Sequence, residues 1–142
     1  MTDNCVFCKI VNKQISDVNI VYEDELIIAF LSNAPINLGH TIIASKKHLN
    51  NISSINEEIA GRLFYLATRI GVAARRAIDA DGYNIFSADG FCAGQDIQHT
   101  HINMVPRFID DGFHWNWRVL ETEKNINEIT EKIKEKLKVD ID

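Results

Sequence analysis

Short apolar runs separated by polar turns mark the first third of the chain. Ile20–Glu23 and Leu26–Leu31 are two such runs, and the Asp24-Glu25 pair between them predicts a tight turn that joins two strands. Residues 32–39 contain Asn, Pro and Gly in a pattern typical of a loop. Thr41–Ala44 then predicts a third strand, so this part of the chain is expected to form a small sheet.

A long helix is predicted in the middle of the chain. Apolar residues recur at helical spacing up to about Ile78, and they would form one face that packs on a sheet. The sequence Ser54-Ile55-Asn56-Glu57 matches the S-x-x-E capping box, which predicts that the helix begins just after Ser54. The apolar positions of this face are Ile55, Ile59, Leu63, Leu66, Ile70, Ala73, Ala74 and Ala77.

Two more strands and a second helix complete the predicted fold. Tyr83–Ser87 and Ile97–Val105 have strand patterns, and Pro106 is expected to stop the second one. Near the end of the chain, apolar residues alternate with charged ones at helical spacing and predict an amphipathic helix. These residues are Ile126, Ile129, Ile133 and Leu137. We therefore expect an α+β fold with a mainly antiparallel sheet of about five strands, one long helix and a C-terminal helix.

Composition narrows the class of protein. The chain has 142 residues, of which 46% are hydrophobic and 25% charged, as in one compact domain rather than a disordered segment. A net charge of −5 argues against extensive nucleic-acid binding. No window approaches the roughly 18 consecutive apolar residues of a membrane span, and no secretory signal pattern is present. We therefore expect a cytoplasmic protein that does not bind membranes.

Two of the three cysteines, Cys5 and Cys8, form a C-x-x-C pair. In a reducing compartment this spacing is typical of half a zinc site, of a redox dithiol, or of a pair without a special role. A thioredoxin-like dithiol follows a buried strand, and no strand is predicted before Cys5. The redox interpretation is therefore the least favoured, but spacing alone leaves all three open. Cys92, in a Gly-flanked loop, is interpreted as a small packing residue.

The segment from Gly94 to Arg107 contains the residues best suited to chemistry. Because side chains alternate along a strand, His99, His101 and Asn103 are expected to lie on one face. Two buried imidazoles would need hydrogen-bond partners and would pack less well than Ile or Val, so they are unusual core residues. A polar surface exposed to solvent is the simpler explanation. The preceding Gly94-Gln95 pair instead favours close approach of the backbone to an anionic group.

Taken together, these segments resemble the histidine triad (HIT) superfamily, whose signature is His-x-His-x-His followed by two apolar residues. The resemblance spans residues 5–115, which we interpret as a HIT domain, with residues 116–142 as a C-terminal tail and amphipathic helix. In chain order, the motifs besides the triad strand are Cys5-x-x-Cys8-Lys9-Ile10, Pro35-x-x-x-Gly39-His40-Thr41-Ile42-Ile43-x-x-Lys46-Lys47-His48, Gly82-x-Asn84, Asp89-Gly90-x-x-Ala93-Gly94-Gln95, Pro106-Arg107-Phe108 and Asp111-Gly112-Phe113.

The resemblance implies a homodimer that binds nucleotides and hydrolyses or transfers a nucleoside monophosphate, with a dinucleoside polyphosphate as a typical substrate. In the family the middle triad histidine, here His101, attacks the α-phosphorus and forms a nucleotidyl-histidine intermediate. His40 and Asn103 are the other residues expected in the catalytic group. The residues expected to bind the nucleotide and its phosphates are Ser32, Asn84, Gln95, Asp96 and His99.

The resemblance also implies a zinc site, because the C-x-x-C pair is typical of the zinc-carrying bacterial branch. In that branch the ligands are the two N-terminal cysteines, the histidine after the Lys-Lys pair and the first triad histidine. In this sequence they are Cys5, Cys8, His48 and His99. Four protein ligands leave no open coordination position, so the expected ion is structural.

Three positions depart from the family pattern. Asn103 replaces the third triad histidine, and an amide can donate a hydrogen bond but cannot act as an acid. Ser32 stands where many members bind the ribose with an acidic or amide residue, and Ala88 replaces an amide. We therefore expect leaving groups that require a proton, such as amines, to be cleaved badly. The alternative hypothesis is a nucleotide-binding regulatory module with weak or lost catalysis.

Overall fold

A computed structural model describes residues 4–115 and 126–141 of the chain. The chain divides into two compact units, one up to Asp111 and one from Gly112 onward. The first unit contains helices α1 (Val6–Val11) and α2 (Glu57–Ile78) and strands β1 (Ile20–Glu23), β2 (Ile27–Leu31), β3 (Thr41–Ser45), β4 (Gly82–Phe86) and β5 (His101–Arg107). The strands lie in the order β1-β2-β3-β5-β4, and each neighbouring pair is antiparallel. The expected α+β fold is thus confirmed.

Helix α2 covers one face of the sheet. Its apolar stripe, including Leu63 and Ala67, packs on Ile43, Ile102 and Met104 in the main hydrophobic core. The predicted capping box is wrong in one respect, because Asn56 rather than Ser54 is the N-cap. The side chain of Asn56 accepts a hydrogen bond from the main-chain N–H of Ile59 at 3.0 Å. The helix therefore begins two residues later than predicted.

A short helix that the sequence analysis did not predict covers the opposite face. Helix α1 has only six residues and lies between Cys5 and the turn at Asn12. Phe7 and Ile10 are buried there against Ile28 and Phe30 of β2. Isolated helices of this length are unstable. The stability of α1 therefore depends on its packing against the sheet and on the ligand that Cys5 and Cys8 bind.

Strand β5 begins at His101, so the prediction that it starts at Ile97 is wrong. Thr100 instead bonds to a neighbouring loop, donating from its main-chain N–H to the carbonyl of Leu49 and from its hydroxyl to the carbonyl of Asn51. Pro106 lies inside the strand rather than after it. Strand β3 pairs with β5 only as far as Met104, so Pro106 needs no hydrogen bond on that side and pairs with β4 alone.

The register of β5 determines which residues share the α1 face. Ile102 and Met104 point into the core beneath α2. Because successive side chains of a strand point to opposite faces, His101 and Asn103 lie on the other face. Asn103 pairs with Ile42 of β3 and with Phe86 of β4. Strands β3, β5 and β4 therefore form one unbroken surface at Asn103 on the face that α1 covers.

The second unit contains α3, which spans Ile126–Ile141 as the apolar pattern predicted. Its apolar residues are largely exposed, with Ile126 at 67% and Ile133 at 61%. Residues 116–125 of the predicted tail lie outside the described residues. Among the helices that are described, none is long and apolar enough to span a membrane.

Candidate metal centre and nucleotide site

Four side chains converge beside α1: Cys5, Cys8, His48 and His99. The Nδ1 atom of His99 lies 3.4 Å from Cys5 Sγ, 3.6 Å from Cys8 Sγ and 3.2 Å from His48 Nδ1. His48 Nδ1 lies 3.2 Å from Cys8 Sγ. These four residues, the Cys2His2 cluster, therefore join α1, the segment after β3 and the segment before β5.

These separations fit a tetrahedral zinc ion. With Zn–S bonds of about 2.3 Å and Zn–N bonds of about 2.05 Å, tetrahedral ligand atoms lie about 3.3 Å apart for two nitrogens and about 3.6 Å for sulfur and nitrogen. The observed N···N distance of 3.2 Å and S···N distances of 3.2–3.6 Å are close to these values. The donor set of two thiolates and two imidazoles is also the one that zinc prefers. The cluster can therefore hold a zinc ion.

His99 is committed to this cluster. Its side chain is fully buried, and its Nε2–H donates to the carbonyl oxygen of Ser45 at 2.6 Å, which leaves Nδ1 to face the cysteines. Burial lowers the pKa of His99, with smaller lowering contributions from His48 and His101, although the bond to Ser45 acts in the opposite direction. With both nitrogens engaged and no exposed atom, the side chain is not placed to contact a nucleotide. That His99 also binds phosphate stays a prediction.

His101 has one ring nitrogen fixed by the main chain. Its Nδ1 lies 2.7 Å from the carbonyl oxygen of His99, and because a carbonyl can only accept, Nδ1 carries the proton. In a neutral ring, Nε2 then has an available lone pair. The ring also packs edge-on against Phe7, with centroids 5.1 Å apart and planes at 86°. This arrangement holds a half-buried imidazole in one orientation, with its Nδ1 bonded to the main chain.

His40 and Asn103 form a pair on the same face. His40 stands directly before β3 and is 5% exposed, and its Nε2 lies 2.8 Å from Asn103 Oδ1. Its Nδ1 accepts a hydrogen bond from the main-chain N–H of Ile36 at 3.1 Å. Burial is the main cause that lowers the pKa of His40, His101 and Arg107 lower it further, and the bond to Asn103 partly opposes this. The neutral form of the ring is therefore favoured.

A cleft of about 630 Å³ opens beside this pair. Its walls include apolar residues of α1 and β2, with polar groups at Ser32, Asp96, His40 and Asn103. His101 is not itself among the lining residues, but its neighbours Phe7 and Asn103 are. A largely apolar wall that also carries polar groups is typical of small-molecule sites.

Two of the predicted binding residues hold other parts of the protein. Gln95 is buried and ties its loop together, because Oε1 accepts from the N–H of Gly90 at 2.9 Å and Nε2 donates to the carbonyl of Asn50 at 2.6 Å. Asn84 accepts a hydrogen bond from Arg107 Nε at 2.8 Å and does not line the cleft. Both amides are thus used within the protein, and a direct contact of Gln95 or Asn84 with a nucleotide stays a prediction.

Helix α1 contributes to both the cleft and the metal cluster, which was not predicted from the sequence. Val6, Phe7 and Ile10 line the cleft, while Cys5 and Cys8 lie in the Cys2His2 cluster. Apolar residues between the two cysteines were the available signal, because a wholly exposed C-x-x-C loop has no need of a phenylalanine.

Comparison with known proteins agrees with this geometry. The family model described as HIT domain matches residues 13–110. An uncharacterized HIT-like protein of Borreliella burgdorferi is 38% identical over 126 residues, which are 85% of this chain and 90% of that protein. The crystal structure of a HIT family protein from Bacillus anthracis has a TM-score of 0.86 at 32% identity, covering 100% of both chains.

Other similar proteins carry a bound metal or an activity in their names. A Zn-bound histidine triad family protein from Mycobacterium smegmatis has a TM-score of 0.74 at 29% identity over 96% of each chain. Adenylylsulfatase HINT3 of Arabidopsis thaliana is 31% identical over 75% of this chain and 54% of its own length. Adenosine 5'-monophosphoramidase hnt1 of Schizosaccharomyces pombe is 30% identical over 73% of this chain and 74% of its own. By its domain match, its relatives and its Cys2His2 cluster, this chain belongs to the HIT family and to a zinc-binding branch of it.

Proposed function

We propose that this protein cleaves a nucleotide at its α-phosphate through a nucleotidyl intermediate on His101, and that it passes the nucleotidyl group to water or to another acceptor. The observation that carries the proposal is the 2.7 Å bond from His101 Nδ1–H to the carbonyl of His99. This bond fixes the tautomer, so that Nε2 is the nitrogen available for attack.

The chemistry has two balanced steps. The lone pair of His101 Nε2 forms a bond to the α-phosphorus, while the bond from phosphorus to the leaving-group oxygen breaks and its electron pair leaves with that oxygen. The imidazole now carries the nucleotidyl group on Nε2 and the proton on Nδ1. Water then bonds to phosphorus and loses a proton to solvent, and the P–N bond breaks to return a neutral imidazole.

The Cys2His2 cluster supports this site without taking part in a step. A zinc ion bound there by Cys5, Cys8, His48 and His99 supplies structural rigidity, because four protein ligands leave no position for substrate. The cluster fixes the main chain at His99, and the carbonyl group of His99 orients the ring of His101.

The apolar wall of the cleft supports nucleotide binding, since a base can be buried there while its phosphates reach polar groups that also line it. The relatives named adenylylsulfatase and adenosine 5'-monophosphoramidase support adenine as the first base to test. Ser32 and Asp96 both line the cleft, and we assign the Ser32 hydroxyl to the ribose and the main chain at Asp96 to the phosphates.

We also propose that the protein acts as a homodimer, as the family resemblance implies. Exposed aromatic side chains on α2, Phe64 at 47% and Tyr65 at 58%, support a pairing surface. Light scattering coupled to size exclusion tests this: a mass twice 16.1 kDa is expected, and a mass of 16.1 kDa at micromolar concentration contradicts it.

The function is tested by trapping the intermediate. The zinc-loaded protein is mixed with a diadenosine tetraphosphate, quenched within milliseconds to seconds, and analysed by peptide mass spectrometry. We expect an adenylyl group on the peptide that contains His101 and none on peptides that contain His40, His48 or His114. His101→Gln is expected to abolish the adduct. If no adduct forms while calorimetry detects nucleotide binding, the protein is the regulatory binding module instead, an alternative favoured by the missing acid at Asn103.

A further inference from the structure

The pair formed by His40 and Asn103 has a defined direction. A main-chain N–H can only donate, so the 3.1 Å contact from Ile36 requires His40 Nδ1 to be the acceptor. In a neutral ring, Nε2 then carries the proton and donates to Asn103 Oδ1 at 2.8 Å. The burial that lowers the pKa of His40 favours the same neutral form.

The direction of this bond fixes the amide of Asn103. Its oxygen faces His40, so its NH2 group occupies the other end of the amide plane. Asn103 lines the cleft and lies on the α1 face of β5, two residues from His101. The site therefore presents a neutral N–H donor beside the nucleophile, and this donor cannot rotate away without losing the bond to His40.

We propose that His40 is a positioning residue that turns the amide N–H of Asn103 toward the leaving-group oxygen, and that this makes the enzyme selective for leaving groups that depart as anions. The inference rests on the proposed function. When His101 Nε2 bonds to phosphorus and the P–O bond breaks, the oxygen keeps the electron pair and departs as an anion. The amide donates a hydrogen bond to it and transfers no proton.

This selectivity follows from the chemistry of the donor. A phosphate or pyrophosphate oxygen leaves as a stable anion near neutral pH, so a hydrogen bond is sufficient help. An amine or a simple alcohol is a poor leaving group unless it gains a proton. The amide of Asn103 is not an acid, and the Nε2 proton of neutral His40 is held in the bond to Asn103, so neither residue readily supplies a proton.

The test is the dependence of rate on leaving-group acidity. Aryl esters of adenosine 5'-monophosphate, from the nitrophenyl to the phenyl ester, allow log kcat/KM to be plotted against the pKa of the departing phenol. Asn103→Asp is isosteric and still accepts from His40, but it offers no N–H. We expect kcat/KM to fall about 100-fold for the phenyl ester, the loss of one oriented donor, and only a few-fold for the nitrophenyl ester.

His40 is tested with a matched pair of variants. His40→Phe keeps the ring but frees the amide, and we expect the same steepening of the slope as in Asn103→Asp. His40→Gln retains an N–H that can donate to Asn103 Oδ1, and it is expected to restore the wild-type slope. Circular dichroism checks that each variant is folded. If His40→Phe does not fold, the slopes of His40→Gln and Asn103→Asp decide the question.

The outcomes separate the two proposals. A variant that slows every ester equally would mean that the His40–Asn103 bond only holds β3 to β5, and this inference would be wrong while the proposed function stands. An unchanged slope in Asn103→Asp overturns it in the same way. If no ester gives an adduct on His101 in the wild-type protein, the proposed function fails first.

Discussion

The main-chain carbonyl of His99 accepts the Nδ1–H of His101 at 2.7 Å, while the imidazole of His99 faces Cys5 and Cys8. One residue thus connects the Cys2His2 cluster to the proposed nucleophile through a single peptide unit. Disturbing the cluster should therefore change the orientation of His101 as well as stability.

Cys8→Ser tests this connection. We expect the zinc content to fall from about one ion per chain to a small fraction, because serine is a poor zinc ligand. The yield of nucleotidyl-His101 should fall together with the metal, since the carbonyl of His99 is then no longer held. Metal analysis and peptide mass spectrometry measure the two quantities on the same sample.

Cys92→Ser is the control for that change, because Cys92 is exposed and lies outside the Cys2His2 cluster. It should keep its zinc and its adduct. Full adduct yield in a metal-free Cys8→Ser protein would show that His101 is oriented without the cluster.

Substitution by alanine is expected to have opposite effects on stability at two glycines of α2. A Cβ at Gly71 would lie 2.7 Å from the ring of Tyr83, whereas a Cβ at Gly61 has no heavy atom within 4 Å. We expect Gly71→Ala to lower the free energy of unfolding by about 1–3 kcal/mol through overpacking. Gly61→Ala should raise it by up to about 1 kcal/mol through helix propensity. Urea unfolding measures both, and equal effects would contradict the packing described.

The N-cap of α2 can be tested by comparing alanine substitutions at Asn56 and Ser54. Asn56→Ala removes the hydrogen bond to the N–H of Ile59 and is expected to cost about 1 kcal/mol of stability. Ser54→Ala removes only an exposed contact with Asn51 and should change stability by less than about 0.5 kcal/mol. The reverse order in chemical denaturation would restore Ser54 as the cap.

Asp24 predicts a pH-dependent contribution to stability. Burial raises the pKa of its carboxyl, but hydrogen bonds from Arg62, from the N–H groups of Ile27 and Leu26 and from Tyr22 outweigh burial and lower it to about 2, from 3.8. Because the folded-state pKa is lower than the unfolded one, the contribution is complete above the unfolded value and is lost as pH falls toward 2.

Asp24→Asn measures this contribution, since asparagine keeps an oxygen for the two main-chain donors but removes the charge. We expect the variant to be less stable than the wild type at pH 6, and the difference to shrink steadily between pH 4 and pH 2. A difference that does not vary with pH in unfolding titrations would show that the charge is unimportant.

Most of the sheet and the long helix could be predicted from the sequence, because their apolar residues follow regular periods. Strand β1 was predicted at its observed bounds, and β2, β3 and β4 within one residue at each end. Helix α1 could not be predicted in this way. Its six residues are too few to show a helical period, and the segment is apolar because it is buried between the sheet and the cleft.

The candidate site likewise has features that could be predicted from the sequence and features that could not. Motif matching located the Cys2His2 cluster, because a ligand set depends on residue types at fixed spacing. It could not show that Gln95 and Asn84 use their amides within the protein, since the partners, such as Asn50 and Arg107, are distant in sequence. Nor could it give the direction of the His40–Asn103 bond, which depends on one main-chain N–H at Ile36.

The strict alternation along β5 has a consequence for how the protein can fail. Ile102 and Met104 complete the core on one side, while His101 and Asn103 serve the opposite side. A slip of β5 by a single position would bury the side chains of His101 and Asn103 and expose those of Ile102 and Met104 at once. Misaligned forms should therefore be strongly unfavourable. The register that buries the core residues is also the one that places the proposed nucleophile, His101, on the α1 face.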